Sequence, residues 1–149
     1  MERSARMAVT IRPATSSDIP GVLELWATAR SANASTPDTP EALEALLQAS
    51  PGALLVAEHD SDGAIIGAIV AGWDGWRGNM YRLAVHPRHR RRGIALQLVE
   101  AAERQLETNG ARRITALVAH EELEAVGLWT RAGYLRDTTI ARFVKSLRD

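Results

Sequence analysis

Apolar residues that alternate with polar ones predict strands along much of this chain. One strand is expected at Val9–Arg12, and two more at Leu54–Glu58 and Ala64–Gly72. The four residues Asp60-Ser61-Asp62-Gly63 between the last two are typical of a hairpin turn. Asn79–Val85 is expected to form the next strand after a second turn, so these strands are predicted to be antiparallel neighbours.

Apolar residues three and four positions apart predict helices. The expected helices cover residues 19–26, Pro40–Ala49, Ile94–Thr108 and Glu122–Ala132. Thr15–Asp18 supplies side chains suited to cap the first of them, and Gly110 stands where the third should stop. Helices and strands therefore alternate, as in an α/β protein.

The order of these elements predicts the topology of the sheet. A strand, a helix and a strand over residues 80–118 imply a parallel pair with a right-handed crossover. Tyr134–Arg136 and Ile140–Leu147 are expected to complete the sheet. The predicted fold is α/β, with a mixed, mostly antiparallel sheet of six to seven strands and helices on both faces. Residues 1–149 are expected to form a single domain.

Composition narrows the classes of function. The 149 residues have a formal net charge of zero, so no overall field steers the protein to nucleic acid or to a membrane surface. There is no cysteine, which excludes disulfides, thiolate metal sites and a cysteine acyl-enzyme. His86 and His89 are three residues apart and no third ligand follows, so no metal site is expected.

Two segments bear on the compartment. Met1–Met7 is polar and basic, and no apolar stretch follows it as in a secretory signal. The most apolar run, Ile65–Trp73, is far too short to span a bilayer. The chain is therefore expected to be cytoplasmic, with no membrane partner.

The segment between the strand at Asn79–Val85 and the helix at Ile94–Thr108 carries the strongest functional signal. It reads Arg90-Arg91-Arg92-Gly93-Ile94-Ala95. The first turn of a helix has unpaired N–H groups and a partial positive charge, and both favour phosphate oxygens. A glycine lets the backbone come close to a ligand, and arginines add charge-assisted hydrogen bonds. The segment is predicted to bind a pyrophosphate.

This segment resembles the first signature of the GCN5-related N-acetyltransferases (GNAT), Arg/Gln-x-x-Gly-x-Gly/Ala. The resemblance implies the fold of that family and acetyl-CoA as the acyl donor. It also implies that Leu83, Ala84 and Val85 pair with the pantetheine arm and polarise the thioester carbonyl. The pyrophosphate would then lie on residues 90–95.

The residues from Glu122 to Tyr134 resemble the second signature of the same family, with three departures nearby. Glu122 stands where an asparagine commonly contacts the cofactor. Trp129 stands where many members carry the tyrosine that protonates the departing thiolate; it is expected to pack against the cofactor, because an indole is not a proton donor near neutral pH. Leu117 stands where enzymes that acetylate ribosomal-protein N-termini place a glutamate base.

Three other residues are candidates for proton transfer, because an ammonium group must lose a proton before its nitrogen can attack the thioester. His120 follows the predicted strand Ile114–Val118, and Glu58 ends another strand. Tyr81 is the phenol expected near the cleft, since the alternation of side chains turns either Tyr81 or Arg82 toward it. Tyr134 stands where the family keeps an apolar ring, so packing is favoured for it.

The predicted function is transfer of acetyl from acetyl-CoA to a primary amine, by direct attack in a ternary complex. The acceptor would be a small-molecule amine or a peptide amine. Two alternatives stay open: an acetyltransferase for peptide or protein N-termini, and a non-catalytic regulatory module that binds CoA. A nucleic-acid binder built on Arg88–Arg92 is disfavoured by the neutral net charge. A homodimer is among the assemblies that the sequence allows.

Overall fold

Four helices and five strands make up the computed structural model, which describes residues 8–29, 38–118 and 123–147. The elements are, in chain order, β1 (Val9–Pro13), α1 (Ile19–Ala29), α2 (Pro40–Ala49), β2 (Leu54–His59), β3 (Ile65–Trp73), β4 (Gly78–Val85), α3 (Ile94–Asn109), β5 (Ile114–Ala116) and α4 (Leu123–Arg131). No helix in these three ranges is both long and apolar enough to cross a membrane.

The strands form one mixed sheet in the order β1-β2-β3-β4-β5. The first four are antiparallel neighbours, and the turn at residues 60–63 joins β2 to β3 as predicted. β4 and β5 are parallel, and α3 connects them. The predicted fold class is therefore confirmed.

The number of strands differs from the prediction. Five strands are present in the described part of the chain, whereas six to seven were expected. Tyr134–Arg136 and Ile140–Leu147 form no strand, although their residue types favour one. A strand forms only against a neighbour, because β-propensity reflects packing on a sheet surface. In this chain the segment 135–147 lies away from the sheet, and its side chains are exposed.

Helices cover both faces of the sheet, as predicted. α3 packs on one face, where Leu98 and Leu106 meet Met80 of β4. α1 and α2 cover the other face, where Val22 and Trp26 meet Val70 of β3. Each face of β4 thus belongs to a different core, and a shift in its register would exchange the two sets of side chains.

An ion-pair network ties β1 to the start of α1. Arg12 donates two hydrogen bonds to the Asp18 carboxylate, at 2.8 and 2.9 Å, and one from Nε to Glu58 at 2.8 Å. Asp18 is buried and also accepts from the Thr15 N–H at 2.8 Å. The hydrogen bonds from Arg12 are the main reason why the pKa of Asp18 is lowered to about 2.

Candidate functional site

β5 pairs with only the first part of β4, and we call the stretch of β4 beyond this pairing the slot. The pairing starts at Gly78 with Ile114 and ends at Met80 with Ala116, where the Leu117 N–H also donates to the Met80 carbonyl at 3.3 Å. β4 continues to Val85, whereas its pairing with β5 ends at Met80. Backbone that a neighbouring strand leaves unpaired can hydrogen-bond an extended ligand.

A β-bulge lies on β4 beside this slot. Val70 of β3 pairs with Tyr81, whereas Ala68 pairs with Ala84, so one β3 residue faces two on β4. Arg82 lies in the bulge with φ of +57°, in the left-handed region that few residues other than glycine adopt. Such a conformation is held by its surroundings.

The bulge turns Tyr81 and Arg82 to the same face of the sheet. Tyr81 pairs with Val70, whose side chain belongs to the core under α1 and α2, and the Arg82 guanidinium is 5.2 Å from the Trp26 ring of α1. Leu83 then packs on the α3 face and Ala84 on the α1 and α2 face again. The alternation from which one of Tyr81 and Arg82 was expected to face the cleft is interrupted by the bulge, so both side chains lie on one face.

Contacts from α1 and from the residues just before α2 hold the bulge. The Trp26 indole donates a hydrogen bond to the Arg82 carbonyl at 3.1 Å. The Arg82 guanidinium forms an ion pair with Asp38, two residues before α2 begins. The sequence did not predict the contacts of Trp26 and Asp38 with Arg82, because both residues are distant from Arg82 in the chain and only the fold brings them together.

The loop before α3 has the geometry of an anion site. Gly93 has φ of +81°, and a Cβ added there would meet no described atom within 4 Å, so the space beside it is open. No side chain caps the first turn of α3. Its N–H groups therefore remain for a ligand, and an anion there is stabilised by the helix dipole.

The side chains of the predicted loop differ in their contacts and in their exposure. Arg90 donates from Nε to the Val85 carbonyl at 3.2 Å, which fixes the loop against the end of β4. Arg91, with φ of +65°, is exposed and lies 3.7 Å from Glu124 at the start of α4. Arg92 is also exposed, whereas the Ile94 side chain is buried in the core. Ile94 can thus offer a ligand its backbone N–H but not its side chain.

Trp129 of α4 lies in the core on the α3 side of the sheet and is 7% exposed. Its ring meets the Tyr134 ring edge to face, with 5.0 Å between the ring centres. The Tyr134 hydroxyl donates to Glu103 of α3 at 2.6 Å. Burial, together with this carboxylate, raises the pKa of Tyr134 above its usual range, so the phenol retains its proton. Both rings serve packing.

The three candidates for proton transfer are in different positions. Glu58 is bound to Arg12, and β3 lies between its strand and β4. Tyr81 is 37% exposed, on the face covered by α1 and α2. His120 lies outside the described residues, as does Glu122, the predicted cofactor contact. Leu117 follows β5 directly and is 45% exposed.

The histidines of the neighbouring loop pack on one another. The rings of His86 and His89 are 5.8 Å apart, and the His59 ring is 5.6 Å from that of His89. Burial lowers the pKa of His89, and the positive charge of Arg92 lowers it further, so this imidazole is neutral at neutral pH. Within residues 8–29, 38–118 and 123–147 no group of three or more potential ligands could hold a metal ion.

The stretch of β4 beyond its pairing with β5 is followed along the chain by the uncapped start of α3. Comparison with known proteins gives the family. The model of the acetyltransferase (GNAT) family matches residues 19–134. The chain belongs to this family, and it is an acetyl-CoA-dependent N-acetyltransferase.

Relatives in two bacteria support the assignment. An acetyltransferase of Yersinia enterocolitica is 35% identical over 98 residues, which are 66% of this chain and 68% of the relative. An acetyltransferase of Pectobacterium atrosepticum is 36% identical over 92 residues, 62% of this chain and 64% of the relative.

Solved structures share the fold at lower identity. The aminoglycoside N-acetyltransferase AAC(6')-Iy in complex with CoA has a TM-score of 0.77 and is 21% identical, and the match covers 97% of this chain and 98% of that one. The NatC complex bound to Gag peptide and CoA has a TM-score of 0.75 at 24% identity, over 89% and 87% of the two chains. At this identity they establish the fold alone.

Proposed function

We propose that the protein transfers acetyl from acetyl-CoA to a small primary amine, by direct attack in a ternary complex. The observation that supports the proposal is the arrangement along β4, where the slot, the bulge and the uncapped start of α3 are close together in the chain. A single extended donor could use all three, with its phosphates at the loop and its thioester near the bulge. Without cysteine in the chain, no cysteine acyl-enzyme can form.

The donor is proposed to bind mainly to backbone groups. N–H groups at the start of α3, with Arg90, Arg91 and Arg92 around them, would hold the pyrophosphate. Leu83, Ala84 and Val85 would pair with the pantetheine arm along the open edge of β4 and polarise the thioester carbonyl. Trp129 would support this region from the core, since its ring is buried there.

The acceptor amine is proposed to reach the thioester from the face covered by α1 and α2. In its neutral form its nitrogen bonds to the carbonyl carbon, and the carbon–sulfur bond then breaks. CoA leaves as a thiolate that takes up a proton, and the amine loses one to water. Tyr81, the exposed phenol of the bulge, is proposed to donate the proton to the thiolate and to regain one from solvent.

A small amine is favoured over a peptide N-terminus because of Leu117. The resemblance to enzymes that acetylate ribosomal-protein N-termini would require a glutamate there, and an exposed leucine cannot act as a base. Release of free thiol from acetyl-CoA, measured with a panel of small amines and of peptides, tests the choice. Turnover with peptides alone would contradict it, and CoA binding without turnover would identify a regulatory module.

The two tyrosines of the chain allow a matched test of the proton donor. We expect Tyr81→Phe to lower kcat about tenfold to a hundredfold, with little change in the KM for acetyl-CoA. Tyr134→Phe, the control, should leave kcat unchanged because that hydroxyl is held by Glu103. Equal effects of the two substitutions would contradict the role of Tyr81.

His120 and Glu58 are expected to contribute less than a dedicated base would. His120→Ala and Glu58→Gln should each lower kcat by less than about a hundredfold, the low end for general acid–base groups. For Glu58 the reason is its hydrogen bond with Arg12. A loss beyond a thousandfold in either variant, with CoA binding retained, would identify a dedicated base.

A further inference from the structure

A cavity of about 480 Å³ lies at the C-terminal end of α3, between the turn that joins β3 to β4 and the segment that joins α3 to β5. The loop at residues 90–95 lies at the other end of the same helix. Because α3 has 16 residues, it separates the two by about 24 Å. Sites for small molecules have volumes of about 300–1,000 Å³, so the cavity is large enough for a ligand of its own.

Two tryptophans line this cavity. Trp73, the last residue of β3, packs against the core on the α3 side, and a Cβ added at Gly110 would lie 3.9 Å from its ring. Trp76 belongs to the turn before β4 and is 74% exposed. Most of the Trp76 ring is thus left uncovered by the protein. Indole faces stack well on planar rings, so both residues suit an aromatic ligand.

Three arginines line the same cavity, Arg77, Arg112 and Arg113. The Arg77 guanidinium lies over the Trp76 ring, 4.2 Å from the ring centre. Arg112 and Arg113 are exposed. None of the three forms an ion pair with another residue of the described ranges. Their guanidinium N–H groups can therefore donate charge-assisted hydrogen bonds to an anion.

Two carboxylates near the cavity are engaged by hydrogen bonds within their own turns. Asp74 accepts from the backbone N–H groups of Trp76 and Arg77, at 2.8 and 2.6 Å, and so fixes the turn that carries both side chains. Asp137 lies close enough to Arg113 to interact with its charge, and it accepts two hydrogen bonds from its own turn. Together the three guanidinium groups and these two carboxylates carry a net positive charge, which favours an anionic ligand.

We propose that this cavity is a second binding site, for a small ligand in which a planar aromatic ring carries a phosphate, as in a nucleoside monophosphate. The ring of the ligand stacks on the indoles of Trp73 and Trp76. Its phosphate accepts hydrogen bonds from Arg112 and Arg113, because a guanidinium offers two parallel N–H groups that match two phosphate oxygens. The site does not depend on the proposed acetyl transfer, whose residues lie on β4 and at the start of α3.

The four tryptophans of the chain report on this site separately. Trp73 and Trp76 line the cavity, whereas Trp26 lies in the core under α1 and α2 and Trp129 in the core on the α3 side. The test is a titration of the natural protein with guanosine monophosphate (GMP), followed by the indole N–H signals in NMR spectra. The signals of Trp73 and Trp76 should shift to saturation with a Kd below about 1 mM, and the other two should stay. Substitution of each tryptophan by phenylalanine assigns the signals.

Variants and partial ligands separate the contributions of the ring and of the phosphate. Trp76→Ala and Arg112→Ala should each weaken GMP binding about tenfold, read from the Trp73 signal, because one loses stacking and the other a charge-assisted hydrogen bond. Arg104→Ala is the matched control, since Arg104 is an exposed arginine of α3 outside the cavity lining. Guanosine and inorganic phosphate should each bind at least about tenfold more weakly than GMP. Thermal melting confirms that each variant is folded.

Three results would overturn the proposal. One is a GMP titration that leaves the Trp73 and Trp76 signals in place. Another is GMP binding that Trp76→Ala and Arg112→Ala leave unchanged, or that inorganic phosphate or guanosine alone equals. The third is loss of GMP binding in Gly93→Asp, which would mean that the nucleotide occupies the loop at residues 90–95. An active transferase that does not bind GMP would overturn this proposal alone, and a protein that binds GMP but transfers no acetyl would overturn only the proposed function.

Discussion

At the scale of single residues, the proposed donor site depends on the absence of a side chain at Gly93. Its φ of +81° and the open space beside it leave the first N–H groups of α3 accessible. An aspartate at this position would place a carboxylate in the open space beside these N–H groups, on a backbone that strains it. The same carboxylate would repel a phosphate.

We expect Gly93→Asp to fold but to lose the rise in melting temperature that CoA causes in the natural protein. Gly75→Asp is the matched control, because Gly75 also has a positive φ, +91°, and also has no described atom near an added Cβ. It lies in the turn before β4, at the other end of that strand, and should keep the response to CoA. Absence of any response in the natural protein at millimolar CoA would contradict donor binding at this loop.

Trp129 allows a second test at this scale, because packing and chemistry predict different results. Trp129→Phe leaves a small void in the core, so the free energy of unfolding should fall by about 1–2 kcal/mol. Turnover should change little if the indole N–H moves no proton. Trp129→Tyr, which supplies the phenol that many family members have there, should hold or raise turnover.

Urea denaturation and initial rates of thiol release measure the two effects. A hundredfold loss of turnover in Trp129→Phe with unchanged stability would show a chemical role for the indole. If Trp129→Tyr does raise turnover, the double variant Tyr81→Phe/Trp129→Tyr should show a decline in rate near the pKa of a tyrosine, about 10, that Tyr81→Phe alone lacks.

At the scale of elements, the junction of β1 and α1 makes stability depend on pH. The pKa of Asp18 is about 2 in the folded protein, and that of an unperturbed aspartate is 3.8. Because the folded pKa is the lower one, the stabilisation is complete above pH 4 and is lost as the pH falls toward 2. It amounts to about 2 kcal/mol, since a tenfold change in proton affinity is worth about 1.4 kcal/mol.

Unfolding free energies of the natural protein and of Asp18→Asn, measured by urea denaturation between pH 5 and pH 2.5, check this dependence. The variant should be less stable at pH 5 and should lose less stability on acidification. Glu107→Gln is the control, since Glu107 lies on the exposed face of α3 and should leave the pH dependence as it is. Parallel curves for the natural protein and Asp18→Asn would mean that the Arg12 pair contributes nothing.

The elements also show where sequence patterns suffice and where they fail. α3 was predicted from residue 94, and β4 was predicted within one residue of its bounds, because the period of apolar positions is local. The bulge at Arg82 was not foreseen, since it exists only in the pairing of β4 with β3. The strand expected at Ile140–Leu147 was wrong because a strand also needs a partner, which composition does not supply.

At the scale of the whole molecule, the same distinction separates the two halves of the candidate site. The donor loop at residues 90–95 could be proposed from the sequence because its residues are consecutive and stand between a strand and a helix. The contacts of Trp26 and Asp38 with Arg82 join three distant segments, and no motif announces them. The sequence therefore did not predict the part of the candidate site that forms only when distant segments pack together.

The bulge of β4 also bears on how the sequences of related proteins can diverge. The proposed donor site relies largely on backbone groups and an open glycine, which survive replacement of most neighbouring side chains. The surface on the opposite side of β4 is made of side chains from α1, from the start of α2 and from Tyr81 and Arg82. Substitutions there can accumulate without disturbing acetyl-CoA, so a lineage can exchange one acceptor for another while it keeps the same donor.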